Sequence, residues 1–331
     1  MTTLLGKVLE ASGRKVFVCG NIGTPFTDIA LKTTEDSITA LEVSSFQLET
    51  IDKFRPHVSI ILNITQDHLD RYNSMDDYAW AKARSFINQT SEDYLIVNYD
   101  DEFIRKISKK SKAKVIYFSS LKEIEGIFFR GSAIYLNMTG GASREFLRVE
   151  LLKLKGVHNI ENCMAVIAAA MVSGIREDDI IKELKNFETL EHRIEYVDTI
   201  NGIKFINDSK STNVDGTKRA LEMFDEPVIL IAGGLDKNSD FTSLREVVGK
   251  KVKEVFLIGQ AKDKIDKAFK GIVPTSFSDT LFDAVFGAFK KAKSGDSILL
   301  SPICASFDMF DDYKHRGKVF KEAVQALKDK A

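Results

Sequence analysis

The chain has 331 residues, beyond the roughly 250–300 at which a single core stops growing, so two domains are expected. Its 47 Lys and Arg against 48 Asp and Glu leave a net charge of −1, which gives no electrostatic footprint for nucleic acid or an anionic membrane, so any phosphate site is local. No run approaches the roughly 20 apolar residues of a membrane span, no secretory leader opens the chain, and Cys19, Cys163 and Cys304 lack paired spacing, which together read as a cytoplasmic protein with buried free thiols.

Residues 2 to 12 place Leu4, Leu5, Val8 and Leu9 at helical spacing and predict an amphipathic helix with no strand ahead of it. Short apolar runs follow, KVFVCG, ITALEV, VSIILNI, YLIVN and KVIYF, separated by helical or polar stretches, the pattern of a largely parallel sheet covered on both faces. Residues 127 to 155 break into IFFRG, AIYLNM and FLRVELL around turns, which predicts antiparallel excursions. Two helices come next, NIENCMAVIAAAMVSG, ending at Gly174, and REDDIIKELKNF. IKFIND, PVILIAGG, EVFLIG and SILLSP then repeat the parallel logic, and the boundary falls near residues 187 to 195. The fold class is therefore α/β with two parallel-sheet domains, residues 1–188 and 189–331.

Ligands of open α/β sheets bind outside the carboxyl ends of the strands. There VFVCG leads to Asn21, ITALEV carries Glu42 and continues to Ser44, and VSIILNI leads to Asp67 and His68; as three adjacent strands they would present an amide, a carboxylate and an imidazole together. Glu42 would cost several kcal/mol to bury unpaired, so it meets either a Lys or Arg or a metal, and this donor set suits Mg²⁺ rather than a closed zinc site. Lys82 shares a stripe with Tyr78 and Phe86 at i, i+4 spacing, so its head either snorkels to water or is a functional, modified amine. In the second half, Asp208, Lys210 and Thr212 crowd one turn after a strand, Lys237 follows Gly233-Gly234, and Ser301, Ser306 and Tyr313 follow a third strand. His192-Arg193 stands at the boundary, where an arginine could meet a phosphate.

EVSSFQLE, NITQDHLDRY, YAWAKAR, GVHNIENCMAV, EHRIEY, INDSKSTN, AGGLDKNSDF and SPICASFDMFDDYKHRGKVF occur in the order found in the Mur ligases, and the resemblance covers residues 2 to 330. It is nearest to the D-glutamate-adding branch of that family. The resemblance implies a P-loop-type ATPase-like central domain and a Rossmann-like C-terminal domain in a monomer. It implies ATP-driven ligation of D-glutamate to UDP-N-acetylmuramoyl-L-alanine through an acyl phosphate, in peptidoglycan precursor synthesis. By position, Glu42, His68 and a carbamylated Lys82 would hold two Mg²⁺ ions, and Asn21 and Ser44 would contact the nucleotide sugar. Asn159 and Asn162 match adenine-binding asparagines, Arg193 and Asp208 the ATP phosphate and ribose contacts. Lys210, Thr212, Lys237, Ser306 and Tyr313 match the D-glutamate pocket, with Tyr where the family leads one to expect Phe.

The family pattern includes an N-terminal uridine-binding domain, a strand and a phosphate loop of the type GTNGKTT. No G-x-x-x-x-G-K-[ST] occurs in the chain, and MTTLLGKVLEASG matches the helix directly after that loop. The expectation is a chain that lacks both features and is weakly active or inactive. Three alternatives remain: a noncatalytic ligand-binding remnant, another Mur or folylpolyglutamate-type ligase, and a dinucleotide-dependent dehydrogenase, the last opposed by the lack of G-x-G-x-x-G after any strand.

Overall fold

Apolar periodicity and local caps account for the elements of the computed structural model, which describes residues 1–66, 71–138 and 141–330. The first half runs α1 (Thr2–Glu10), β1 (Val16–Gly20), α2 (Phe26–Ile29), β2 (Ile38–Glu42), α3 (Ser45–Leu48), β3 (Val58–Ile61), α4 (Met75–Ala83), β4 (Tyr94–Asn98) and α5 (Glu102–Ser108). It continues with β5 (Lys114–Ser119), β6 (Gly126–Arg130), β7 (Ala133–Asn137), β8 (Arg144–Arg148), α6 (Val157–Val172) and α7 (Glu177–Asn186). Six strands form one sheet in the order β3-β4-β5-β6-β7-β8, parallel through β6 and antiparallel from β6 to β8. Alternate side chains leave the sheet on opposite faces: Ile96, Ile116 and Phe118 enter the core built on α6, whereas Ile61, Leu95 and Val97 meet α4 and α5. Ser74 and Asp101 cap α4 and α5 through their side-chain oxygens.

One expectation is corrected here. β1 and β2 pair in parallel as a two-stranded sheet of their own, and β3 is not laddered to either, so the first three strands are not adjacent members of one sheet. Val16, Ile38 and Ala40 still pack into the core that takes Ile60 and Ile96, and α1 touches both β1 and β2. An apolar run specifies which face is buried; it does not specify the hydrogen-bonding neighbour.

The second half runs β9 (Glu195–Ile200), β10 (Ile203–Asn207), α8 (Val214–Leu221), β11 (Val228–Gly233), α9 (Arg245–Lys251), β12 (Val252–Ile258), α10 (Lys262–Phe269), β13 (Thr275–Phe277), α11 (Leu281–Lys291), β14 (Ser297–Ile303) and α12 (Tyr313–Lys328). The strand order is β13-β12-β11-β14-β10-β9, parallel except for β9. β14 thus inserts between β10 and β11, and the loops leaving these three strands open a crevice at their carboxyl ends, the switch-point arrangement of doubly wound sheets. Helices cover both faces with separate cores.

The chain divides into two compact units, residues 1–64 with 72–188 and residues 65–71 with 189–331. All three cysteines are buried and unpaired, and burial pushes the Cys163 and Cys304 thiols up to about 12. Among the described residues, no helix is long and apolar enough to cross a membrane.

Candidate functional site

In the first unit the parallel register ends on Gly20 opposite Glu42. A Cβ at Gly20, whose φ is +111°, would fall 2.2 Å from the Glu42 carbonyl oxygen, so only glycine allows this approach. The next residue turns back: Asn21 N–H donates to the Glu42 carbonyl at 2.7 Å and its Nδ2 to Oε1 at 3.2 Å, while Thr2 Oγ1 donates to Oε2 at 3.4 Å. Both side-chain donors are neutral, and among the described residues no Lys or Arg pairs with Glu42. The ion pair weighed from sequence is thus not what meets this carboxylate, and its remaining lone pairs suit a hard cation such as Mg²⁺. Ser44, two residues on, caps α3 in a capping box with Gln47. Lys82 is half-buried on α4, between buried Tyr78 and Phe86, with Nζ 5.0 Å from the Tyr78 ring centroid, so the inward stripe is real and one face of the amine is set by an aromatic ring. Asn159 and Asn162 share a face in the first turns of α6; Asn159 Nδ2 donates to the Lys155 carbonyl at 2.7 Å, and Asn162 Nδ2 lies 3.4 Å from Asn159 Oδ1. His68 lies outside the described residues.

In the second unit the candidates ride on loops bonded to one another. Ile303 N–H donates to the Ser211 carbonyl at 3.1 Å, which sets the 208–213 turn beside the end of β14. Leu235 and Ala305 exchange backbone bonds of 2.9 and 3.1 Å, which brings the loop of Lys237 to that of Ser306. Lys210 Nζ sits 3.9 Å from the Tyr313 ring centroid, a cation–π contact that a Phe would equally provide. Asp208 is buried and accepts from Ser301 Oγ at 2.9 Å and from the Ile194 N–H, in the segment of Arg193, at 3.3 Å; burial pushes its carboxyl up to about 6. The turn bearing Lys210 and Thr212, the loops of Lys237 and Ser306, and the first turn of α12 therefore converge on the switch-point crevice.

Two domain families match the chain: the Mur ligase middle domain over residues 1–170 and the Mur ligase, glutamate ligase domain over residues 192–304. The chain belongs to the Mur ligase family. Among its relatives are the UDP-N-acetylmuramoylalanine–D-glutamate ligases of Thermoanaerobacter sp. (strain X514), 44% identical over 99% of this chain, and of Clostridioides difficile (strain 630), 42% identical over 99%; each alignment spans 73% of the relative. Solved structures with the same fold include MurF from Acinetobacter baumannii, with TM-score 0.73 at 17% identity, covering 97% of this chain and 73% of that one. A pseudomurein peptide ligase type C from Methanothermus fervidus gives TM-score 0.74 at 16% identity, covering 98% and 76%.

Three buried residues of this Mur ligase tie the crevice together: Arg316 and Asn207, which had not been singled out from sequence, and Ser301, which its place after a strand had marked. Arg316 is fully buried; Nε donates to Ser209 Oγ at 3.0 Å, Nη2 to the Ser209 carbonyl at 2.9 Å, and Nη1 to the carbonyls of Cys304 and Ala305 at 3.1 and 3.3 Å. Burial pulls its pKa down to about 10. Ser301 holds Asp208, and Asn207 joins the ends of β10 and α12. The available signals were an arginine four residues before Phe320 on the buried stripe of α12, and an amide closing the apolar run IKFIN. Glu191, His192 and Glu195 also cluster with ligand atoms within 4.8 Å of one another, but Lys321 pairs with both carboxylates and the Asn207 amide covers His192 Nδ1 and Glu195 Oε2, so protein donors already fill the cluster.

Proposed function

We propose that the chain catalyses ATP-dependent addition of D-glutamate to UDP-N-acetylmuramoyl-L-alanine, in peptidoglycan precursor synthesis, acting as a cytoplasmic monomer. The observation that carries this reading is the convergence, at one crevice, of loops bearing two lysines, two hydroxyls and an aromatic ring, a set suited to a small dicarboxylate. Lys210 and Lys237 pair with its two carboxylates, Thr212 and Ser306 donate hydroxyls, and Tyr313 packs against its carbon chain. Residues 1–188 serve ATP binding and residues 189–331 amino-acid binding. Asn159 and Asn162 read the adenine edge, Asp208 takes the ribose hydroxyls, Arg193 meets the phosphates, and Asn21 and Ser44 contact the nucleotide sugar.

Glu42, His68 and Lys82 hold two Mg²⁺ ions, with Lys82 acting as a carbamate, formed when its neutral amine adds CO₂ and releases a proton. The metals supply charge neutralisation at the phosphoryl oxygens. The γ-phosphoryl group passes from ATP to the alanine carboxylate, giving ADP and an acyl phosphate, and the D-glutamate amine attacks the acyl carbon, releasing phosphate and a proton as the amide bond forms.

The test is ADP release in the presence of ATP and Mg²⁺. Release that requires both the nucleotide sugar and D-glutamate, with L-glutamate failing to replace it, and that is weak in a chain without G-x-x-x-x-G-K-[ST], is the expected result. Binding of D-glutamate and ATP without turnover would instead mark a ligand-binding protein, and turnover with a different amino acid would mark another member of the ligase family.

A further inference from the structure

The segment 190–195 is held in a conformation its residues do not favour: His192 has φ +65° and Ile194, a β-branched residue, φ +45°. Such residues persist only where their surroundings over-determine them. The surroundings here meet at Asn207, which is fully buried at the end of β10. Its Oδ1 accepts from the Ser209 N–H at 3.1 Å, which fixes the orientation of the amide. Its Nδ2 therefore faces His192 Nδ1 at 2.9 Å, Glu195 Oε2 at 3.0 Å and the Gly317 carbonyl at 3.3 Å. An N–H donor directed at Nδ1 leaves that nitrogen unprotonated, so the imidazole is neutral with its proton on Nε2.

We propose that Asn207 is a positioning residue: by holding His192 as the neutral Nε2–H tautomer, its amide locks the strained turn from which Arg193 projects and couples that turn to the Lys210 loop and the first turn of α12. The lock continues through the backbone. The Lys210 N–H donates to the His192 carbonyl at 3.1 Å, the Arg193 N–H to the Leu190 carbonyl at 3.1 Å, and the Glu195 carboxylate accepts the His192 N–H at 2.9 Å. Tyr313 stands edge-on to the imidazole, with centroids 6.1 Å apart. The charged groups around the ring are Glu191 and Glu195 on the segment itself, Asp312 before α12 and Lys321 on α12. Burial outweighs the two glutamates and lowers the imidazole pKa, in keeping with a neutral ring. The consequence for nucleotide binding rests on the role proposed for Arg193; the tautomer does not.

Nitrogen NMR of the histidine-labelled native chain, with the signal assigned by its loss in a His192→Gln variant, reads the tautomer directly. The expected result is an unprotonated Nδ1 and a protonated Nε2 from about pH 8 down to about pH 6. A protonated Nδ1 would overturn the proposal. His192→Asn keeps an acceptor where Nδ1 stood and tolerates a positive φ, whereas His192→Ala removes the nearest acceptor of the Asn207 amide, leaving it only Glu195 Oε2 and the Gly317 carbonyl, and cuts its link to the turn. Amide exchange at Arg193 and Lys210 should therefore speed up at least tenfold in His192→Ala and stay near native in His192→Asn; equal exchange in the two variants would also overturn it. Calorimetric titration with ADP should show the same ordering. A native chain that fails to bind ADP would sink the role of Arg193 while leaving the tautomer and exchange results to decide the lock.

Discussion

Asp208 carries its carboxylate in a pocket almost closed to solvent, and burial raises its pKa to about 6 from an ordinary 3.8. A folded-state pKa above the unfolded one means that the native chain holds the proton more tightly. The associated stabilisation is complete below about pH 4 and is lost as pH rises through 6, so ionised Asp208 destabilises the fold at neutral pH. Asp208→Asn keeps the acceptor for Ile194 and a partner for Ser301, and should stabilise the chain by on the order of 1–3 kcal/mol at pH 8 but hardly at pH 4. Urea unfolding at the two pH values reads this directly, and an equal change at both would refute it. ADP affinity should fall at least about tenfold in the same variant, through loss of the charge-assisted hydrogen bond proposed between Asp208 and the ribose. Lys82 poses a sharper chemical question, because an ammonium over the Tyr78 ring and a carbamate near metals are different species. In ¹³C-bicarbonate buffer the native chain should show a carbamate carbon resonance that vanishes in Lys82→Arg, which keeps the positive charge but cannot add CO₂; a resonance unchanged by that substitution would remove Lys82 from the metal site. Side chains at strand ends, Glu42, Asp208 and Lys210 among them, were legible because position in an α/β pattern carries chemical meaning. Arg316 was not, and Ser301 was visible as a strand-end hydroxyl but not as the partner of Asp208, because each takes its role from a partner 107 or 93 residues away, and no local pattern encodes that distance.

α12 is the element on which the second-unit site turns. Tyr313 opens it, Arg316 binds two loops from its first turn, and Gly317 allows it to approach the imidazole. A Cβ at Gly317 would lie 2.2 Å from His192 Nδ1 and 3.0 Å from Asn207 Nδ2, both buried and both hydrogen-bonded. Gly317→Ala should therefore destabilise by about 1–3 kcal/mol through overpacking, although alanine is the better helix former by about 1 kcal/mol. D-glutamate binding should weaken with it, since the displaced turn carries Tyr313 away from Lys210. Stability at or above native in this variant would show that the approach is slack. Elements with long apolar runs were readable in advance, β4, β11 and β14 nearly to the residue. β9 was missed because EYVDTI is an edge strand with partly exposed alternation, and β13 because three residues give no period to detect. The separate β1-β2 ladder was illegible for a different reason: burial and pairing are independent in sequence, and only burial leaves an apolar signature.

At the scale of the whole chain, each unit has its own pair of cores, one on either face of its sheet. All five residues proposed to bind D-glutamate belong to the second unit, on loops leaving β10, β11 and β14 and on α12, so the free energy of binding would enter through that unit. At a ligand concentration of 100 times Kd the native state gains about 2.7 kcal/mol, provided the unfolded chain does not bind. Amides whose exchange requires the second unit to open, such as those of Leu230, Leu257 and Leu299, should then slow by about 100-fold, the same free energy read as a rate. Amides of β4 and β5, for example Ile96 and Phe118, open with the first unit's cores and should change little. Hydrogen exchange with D-glutamate, and with L-glutamate as the control, separates these regions residue by residue. Protection spread evenly over both units would show that binding is sensed by the whole chain at once, and protection confined to the first unit would remove the dicarboxylate pocket from the crevice at β10, β11 and β14.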